Sequence, residues 1–123
     1  MDYQKLQVDI MNIDPKIRLV TICDINGKVM FSDHRQGVKN LLSPEESRES
    51  LELAANSWKI RSKLAPKIGK GKYVLAEYEK IKRITMPFGD DLLLYITTEP
   101  EVLCSIIILD ILDSAHADQQ ILA

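Results

Sequence analysis

The segment PKIGKGK at residues 66–72 carries the residue types best suited to binding an anion. Glycines let neighbouring backbone N–H groups converge on a phosphate, and lysines add positive charge. A nucleotide-binding P-loop, however, follows a strand, precedes a helix and has Ser or Thr after its lysine. Here the flanking pattern predicts a helix before the segment and a strand after it. A turn at the end of a helix, with its lysines in solvent, is therefore the favoured interpretation.

A weaker contact with an anion or an acidic partner stays open for the wider basic segment, residues 59–83. The candidate residues are Lys67, Lys70, Lys72, Lys82 and Arg83. Nine Lys and Arg residues crowd this segment, although the whole chain has a net charge of −2. Its only aromatic residues are Tyr73 and Tyr78, so a nucleic-acid interface is disfavoured. We expect these charges to pair with the acidic C-terminal part of a protomer, or to steer an acidic partner.

Acid–base and metal chemistry have weaker candidates. His34 lies between an aspartate and an arginine, but the only other histidine is His116. The sequence therefore offers neither a zinc ligand set nor a third member of a catalytic triad. Asp90 and Asp91 are adjacent carboxylates without the ligand spacing of a calcium loop. We expect no catalytic residue, no metal site and no cofactor.

The composition describes an ordinary globular chain of one domain. Of its 123 residues, 46% are hydrophobic and 28% are charged, and this length suffices for a core without disulfides. Cys23 and Cys104 lie in apolar contexts, which predicts reduced, buried thiols. No secretory signal is visible, and the longest apolar run is far shorter than the ~20 residues of a membrane span. We expect a cytoplasmic protein.

Residues 43–65 (SPEESRESLELAANSWKIRSKLA) form the dominant structural signal, one long amphipathic helix. Ser43 is a suitable N-cap, Pro44 suits the first helical position, and Glu46 completes a capping box. The helix has two apolar faces at helical spacing. One stripe holds Leu51, Ala54, Ala55, Trp58 and Ala65, and the other holds Leu53, Ile60 and Leu64. The tryptophan stripe is the larger, so we assign it to the core.

The rest of the chain predicts short strands and two further helices. A leading helix is expected over residues 2–12 and a hairpin through Asn26 and Gly27, with strands at 17–23 and 29–32. Three more strands are expected at residues 72–79, 82–88 and 92–97, followed by a largely buried helix at 100–112. The prediction is an α+β fold of order α-β-β-α-β-β-β-α. Its five-stranded antiparallel sheet has the long helix on one face and the terminal helices on the other, in three α/β/α layers. Residues 1–113 form the domain, and 114–123 a flexible tail.

This order of elements resembles the roadblock family of the profilin-like group, which is related to longin, PAS and GAF domains. The resemblance covers nearly the whole chain and includes the hairpin pattern CDINGKVMFS at residues 23–32, a polar turn with glycine before a hydrophobic strand. The segment GKGKYVLAEYEKIKRITMPFGDD at residues 69–91 also resembles an uncharacterised archaeal family, which carries no known activity.

The roadblock resemblance implies a homodimer in which the long central helices pack together and the third strands pair into one sheet. The residues expected at this interface are Leu53, Ile60, Leu64, Tyr73 and Leu75. The function it implies is a non-enzymatic interaction or regulatory module, whose partner is a small Ras-like GTPase or a signalling assembly. The alternative is a small-ligand sensor of PAS or GAF type, which would need a cavity with a few polar groups between the sheet and the helices.

Overall fold

A computed structural model describes the backbone of residues 2–122 and the side chains of residues 2–114. The order of elements is the predicted α-β-β-α-β-β-β-α. The elements are α1 (Tyr3–Met11), β1 (Ile17–Asp24), β2 (Val29–His34), α2 (Pro44–Ile68), β3 (Val74–Glu77), β4 (Lys82–Phe88), β5 (Leu92–Thr98) and α3 (Cys104–Leu122). The predicted α+β class is confirmed.

The five strands form one antiparallel sheet of order β2-β1-β5-β4-β3. Every residue of β5 is buried, as expected for a nearly continuous apolar strand at the centre of a sheet. β3 and β2 are the edge strands. Pro87 of β4 pairs with Leu93 of β5 but lies beyond the end of the β3 ladder, so its missing N–H removes no hydrogen bond from the sheet on that side.

Side chains alternate between two cores because successive strand residues point to opposite faces. The face towards α1 and α3 is almost wholly apolar. Its buried members include Val20, Ile22, Ile84, Met86, Leu94, Ile96, Ile107 and Ile111. The α2 face has a smaller cluster, made of Cys23, Leu51, Ala55, Trp58, Leu93 and Tyr95. The three predicted layers are therefore present, but the α2 layer has the thinner core.

Trp58 holds α2 on the sheet. The side chain is 6% exposed, and its Nε1 donates a hydrogen bond of 3.0 Å to Oγ1 of Thr85 in β4. Gly71 crosses the indole so closely that an added Cβ would lie 2.7 Å from Cζ3. The guanidinium of Arg61 lies 5.2 Å from the ring centroid. The assignment of the tryptophan stripe to the core is confirmed.

Both ends of α2 follow local chemistry. Oγ of Ser43 accepts from the Glu46 amide at 3.1 Å, and the Glu46 carboxylate accepts from the Ser43 amide at 2.9 Å, so the capping box is formed. The hydrogen bond from the Ser43 amide to the carboxylate, and then the Ser43 side chain, lower the pKa of Glu46. The prediction that the helix ends before Pro66 is wrong, since it continues to Ile68. The amide of Gly69 still donates to the carbonyl of Ala65 at 2.8 Å, so the proline removes only its own hydrogen bond.

α3 differs most from its prediction. It begins at Cys104 rather than residue 100, because the Thr98 hydroxyl donates to the Glu99 carbonyl instead of capping a helix. Its backbone is helical to Leu122, beyond the predicted end at residue 112. The expected flexible tail, 114–123, falls almost entirely outside the described side chains and stays a prediction. No helix in the described part of the chain is long and apolar enough to cross a membrane.

Both cysteine thiols are free and buried, as predicted. Cys23 lies in the α2-side core and Cys104 in the core under α1 and α3. Burial, with a smaller effect of the neighbouring Asp24 carboxylate, raises the pKa of Cys23 to about 11. The Cys23 thiol is therefore protonated near neutral pH and acts as a small apolar side chain.

Replacing Trp58 tests how much the α2 layer depends on it. Trp58→Ala removes the largest side chain of that core, and we expect a loss of about 3–5 kcal/mol in the free energy of unfolding. Trp58→Phe keeps most of the volume but leaves the Thr85 hydroxyl without its donor, so the expected loss is about 1–2 kcal/mol. Urea denaturation followed by circular dichroism measures both. Equal losses for the two variants would contradict this account of the indole.

Candidate interaction surface

The outer stripe of α2, Leu53, Ile60 and Leu64, is an exposed apolar face on a helix whose other face is buried. The three side chains are 67%, 60% and 48% exposed. They lie opposite Trp58 because that residue fixes the rotation of the helix on the sheet. Three large aliphatic side chains share one side of the helix at helical spacing, which is typical of a surface that another protein covers.

The β3 edge carries the other two residues predicted at a dimer interface. Tyr73 immediately precedes the strand and is 48% exposed, and Leu75 is 44% exposed. Leu75 pairs with Ile84, whose side chain lies in the core under α1 and α3, so Leu75 projects from the sheet face opposite α2. The structure thus groups the three α2 residues on one face and places Leu75 on the other face of the edge strand.

Charge along α2 divides at its middle. Acidic side chains occupy the first half, with Glu45, Glu46, Glu49 and Glu52 against one arginine, Arg48. The second half is basic and holds Lys59, Arg61, Lys63 and Lys67 without an acid. Each charge lies near the helix end whose dipole stabilises it. The same distribution makes the two halves of the helix electrostatically complementary to each other.

Four of the five predicted anion-contact residues fall into two groups, and Arg83 is described below with the second cavity. Lys67, Lys70 and Lys72 are exposed and form no salt bridge with any described side chain. Lys82 instead donates to the Val102 carbonyl at 2.8 Å and pairs with Glu77 at 3.3 Å, with its side chain only 14% exposed. Lys82 is therefore a structural link between β4 and the segment before α3.

A wide cleft of about 980 Å³ gathers much of the basic segment at one end of the sheet. Its cationic lining residues come from the second half of α2 and from the turn that follows: Lys59, Arg61, Lys63, Lys70 and Lys72. Its lining also includes Asp90 and Asp113. Sequence reasoning expected these cations to pair with the acidic C-terminal part. Asp113 of that part lines the same cleft, but none of the five cations forms a salt bridge with a described side chain of the same copy.

A second cavity, which sequence reasoning missed, lies under the first half of α2 and has a volume of about 380 Å³. The sheet forms its floor, and the segment leading into α2 contributes Val38, Asn40 and Leu41. Three arginines line it, Arg18, Arg48 and Arg83, of which Arg48 is exposed. Nothing in the residue pattern signals this space, because its walls come from four strands and a loop that are distant in sequence.

The two arginines of this cavity that are not fully exposed, Arg18 and Arg83, differ in their partners. Arg18 pairs with Glu99 at 2.7 Å and donates to the Lys39 carbonyl at 2.8 Å. The guanidinium of Arg83 lies over two aromatic rings, 5.2 Å from the centroid of Tyr78 and 5.0 Å from that of Tyr95. Its Nη1 donates to the Tyr78 hydroxyl at 3.3 Å, and its buried Nε has no hydrogen-bond partner among the described residues.

His34, the candidate for acid–base chemistry, is exposed at the end of β2. Its amide donates to the Asp33 carboxylate at 2.9 Å, and its ring Nδ1 lies 3.0 Å from the Arg35 carbonyl. These contacts belong to the strand end and bring no nucleophile to the ring. The second histidine, His116, lies outside the described side chains.

Solved structures share this arrangement of elements over nearly the whole chain. A Roadblock/LC7 domain from Streptomyces avermitilis matches 99% of this chain and 97% of its own, with 13% identity and a TM-score of 0.71. The chain has the roadblock fold. Myxococcus xanthus MglB is similar over 99% of this chain and 98% of its own, with 15% identity and a TM-score of 0.71. A structure described as MglB with tetrameric arrangement covers 93% and 82%, with 15% identity and a TM-score of 0.74.

The roadblock resemblance predicted from the order of elements is thus confirmed as a fold. Protein-family models and curated protein sequences give no match to the chain. What the chain does must therefore be argued from the surfaces of its roadblock fold.

Lys82 allows a test of whether a partly buried lysine contributes more to stability than an exposed one. Lys82→Met leaves the Val102 carbonyl without its donor, and we expect a loss of about 1–2 kcal/mol in the free energy of unfolding. Lys80→Met removes an exposed charge two residues away, and the expected change is within about 0.5 kcal/mol. Urea titrations of both variants measure the difference. A Lys82→Met variant as stable as Lys80→Met would show that the buried contact contributes little.

Proposed function

We propose that this chain is a non-enzymatic interaction or regulatory module that acts as a homodimer. The observation that carries the proposal is the outer stripe of α2. A single copy leaves Leu53, Ile60 and Leu64 in water, at a cost of about 25 cal/mol for each Å² of apolar surface. A second copy presents an identical stripe, and a two-fold axis allows the two to cover each other.

The charge pattern of α2 favours an antiparallel arrangement of the two helices. An antiparallel pair centred on the outer stripe sets the acidic first half of one helix beside the basic second half of the other. The contact between Glu49 and Lys67, or between their neighbours, then occurs twice. A parallel pair would instead set like charges together along its whole length, which is unfavourable.

The β3 edge supports the same assembly. Its residues Val74–Glu77 pair only with β4 among the described strands, so one side of the strand has free backbone donors and acceptors. Pairing with the β3 edge of a second copy would satisfy them. It would also place Tyr73 and Leu75 of both copies near the two-fold axis.

The partner class rests on analogy with roadblock proteins. Self-assembly of a protein with this fold is described for MglB with tetrameric arrangement. The resemblance to the roadblock family extends the proposal to a small Ras-like GTPase or a signalling assembly as the target. The exposed apolar residues Ile106 and Leu109 of α3, with Leu103 just before the helix, would remain uncovered in the proposed dimer. Their exposure corrects the expectation that this helix is largely buried.

The dimer is tested by placing charge on the outer stripe. Ile60→Asp combined with Leu64→Asp should give a folded monomer, because two carboxylates at a two-fold interface cannot be desolvated without partners. Ile106→Asp combined with Leu109→Asp is the matched control on α3 and should leave the dimer intact. Light scattering measures the mass, and circular dichroism reports folding. A folded dimer from the first pair, or a monomer from the control, would overturn the assignment.

The orientation of the helices is tested by salt. In an antiparallel pair the exposed charges attract, so raising NaCl from about 50 mM to about 500 mM should weaken dimerisation by roughly tenfold through screening. A parallel pair brings like charges together and should become tighter over the same range. Sedimentation equilibrium at several salt concentrations gives the dissociation constant.

A further inference from the structure

The cavity under the first half of α2 has a polar floor, in contrast to the apolar core on the other face of the sheet. Strand register places Ser32, Thr21 and Tyr95 in one row across the sheet, and Leu19, Thr97 and Arg83 in the next row. Oγ atoms of Thr21 and Ser32 lie 2.7 Å apart, and the Tyr95 hydroxyl lies 2.8 Å from Oγ of Ser50. A packed layer between a helix and a sheet would be expected to hold aliphatic side chains here.

Arg83 is a partly buried cation in this cavity with incomplete bonding, whereas Arg48 on the same cavity is exposed to water. Arg83 has no carboxylate partner within salt-bridge distance among the described side chains, and its buried Nε is unpaired. Two tyrosine rings stabilise the cation from their faces but accept no strong hydrogen bond in its plane. A partly buried guanidinium normally has an anion opposite its donors, because an uncompensated charge is costly away from water. The neighbouring Arg18 has such an anion, the carboxylate of Glu99.

Apolar side chains complete the walls. Leu19 and Leu51 are buried or half-buried, and Val38 comes from the loop before α2. A volume of about 380 Å³ lies within the range of small-molecule sites, which are mostly apolar with a few placed polar groups. The lining therefore suits a molecule with an apolar body and one anionic group.

We propose that this cavity binds a small organic anion, with its carboxylate or phosphate group on Arg83 and its apolar body against Leu19 and Leu51. The planar guanidinium offers the fork of donors that both groups accept. Hydroxyls of Thr21, Ser32 and Thr97 supply further hydrogen bonds on the floor. The proposal does not depend on the dimer, since every residue named belongs to one copy.

Three probes of the same size test the site: phenylacetate, phenyl phosphate and the neutral phenylacetamide. Each is titrated into the ¹⁵N-labelled chain, and the backbone amide signals of Thr21, Ser32 and Thr97 are followed by NMR. We expect saturable shifts at these amides with at least one anion, and binding of phenylacetamide that is weaker by about tenfold or more. The anion that binds more tightly identifies the head group as carboxylate or phosphate.

Arg83→Gln should weaken binding of the anion by about tenfold or more and leave that of phenylacetamide unchanged. Arg61→Gln is the matched control, because it also removes an arginine stacked on an aromatic ring but lies outside this cavity. Equal affinity for phenylacetate, phenyl phosphate and phenylacetamide, or no saturable shift with either anion, would overturn the proposal. The comparison of the three probes uses the unaltered chain, so it tests the proposed anion site even if Arg83→Gln fails to fold.

Discussion

The packing of Trp58 between α2 and the sheet is the contact on which the surfaces of this molecule depend. Its hydrogen bond to Thr85 fixes both the position of the helix and its rotation. Since the indole points to the sheet, Leu53, Ile60 and Leu64 must point to solvent. The close crossing of Gly71 over the ring also places the lysine-rich turn beside the helix. One buried side chain thereby determines which apolar stripe and which charges are available to a partner.

The two faces of the sheet have different physical roles. The face under α1 and α3 is filled by aliphatic side chains and supplies most of the buried apolar surface. The face under α2 is covered by one helix, which is too narrow for five strands, and it includes threonines, Tyr95 and Arg83. Stability is concentrated on the first face, whereas the cavities and the exposed stripe of α2 belong to the second. A dimer contact and a ligand cavity can therefore share one helix without sharing residues.

Sequence reasoning predicted the fold well because its signals are local. The capping box at Ser43, the Asn26–Gly27 turn and the alternation in β4 each act over a few residues, and their order was enough to indicate the roadblock fold.

Sequence reasoning failed where contacts between residues distant in sequence decide the structure. α2 continues past Pro66 because a helix tolerates one lost hydrogen bond near its end, and α3 starts late because Thr98 bonds within its own turn. The prediction that Leu103, Ile106 and Leu109 are buried is wrong, because the part of α3 whose side chains are described is covered on one side only. Neither the link from Lys82 to Val102 nor the cavity around Arg83 has a signal in the spacing of residues.

The most direct test of the central claim is the solution mass of the unaltered chain, measured by light scattering over a wide range of protein concentration. The account predicts a mass of twice the monomer value of 14.0 kDa that persists on dilution. This result would show that a second copy is present, as proposed from the exposed stripe of α2. A mass of 14.0 kDa at every concentration would contradict the account, because the stripe would then remain in solvent and the case for a self-associating interaction module would fail.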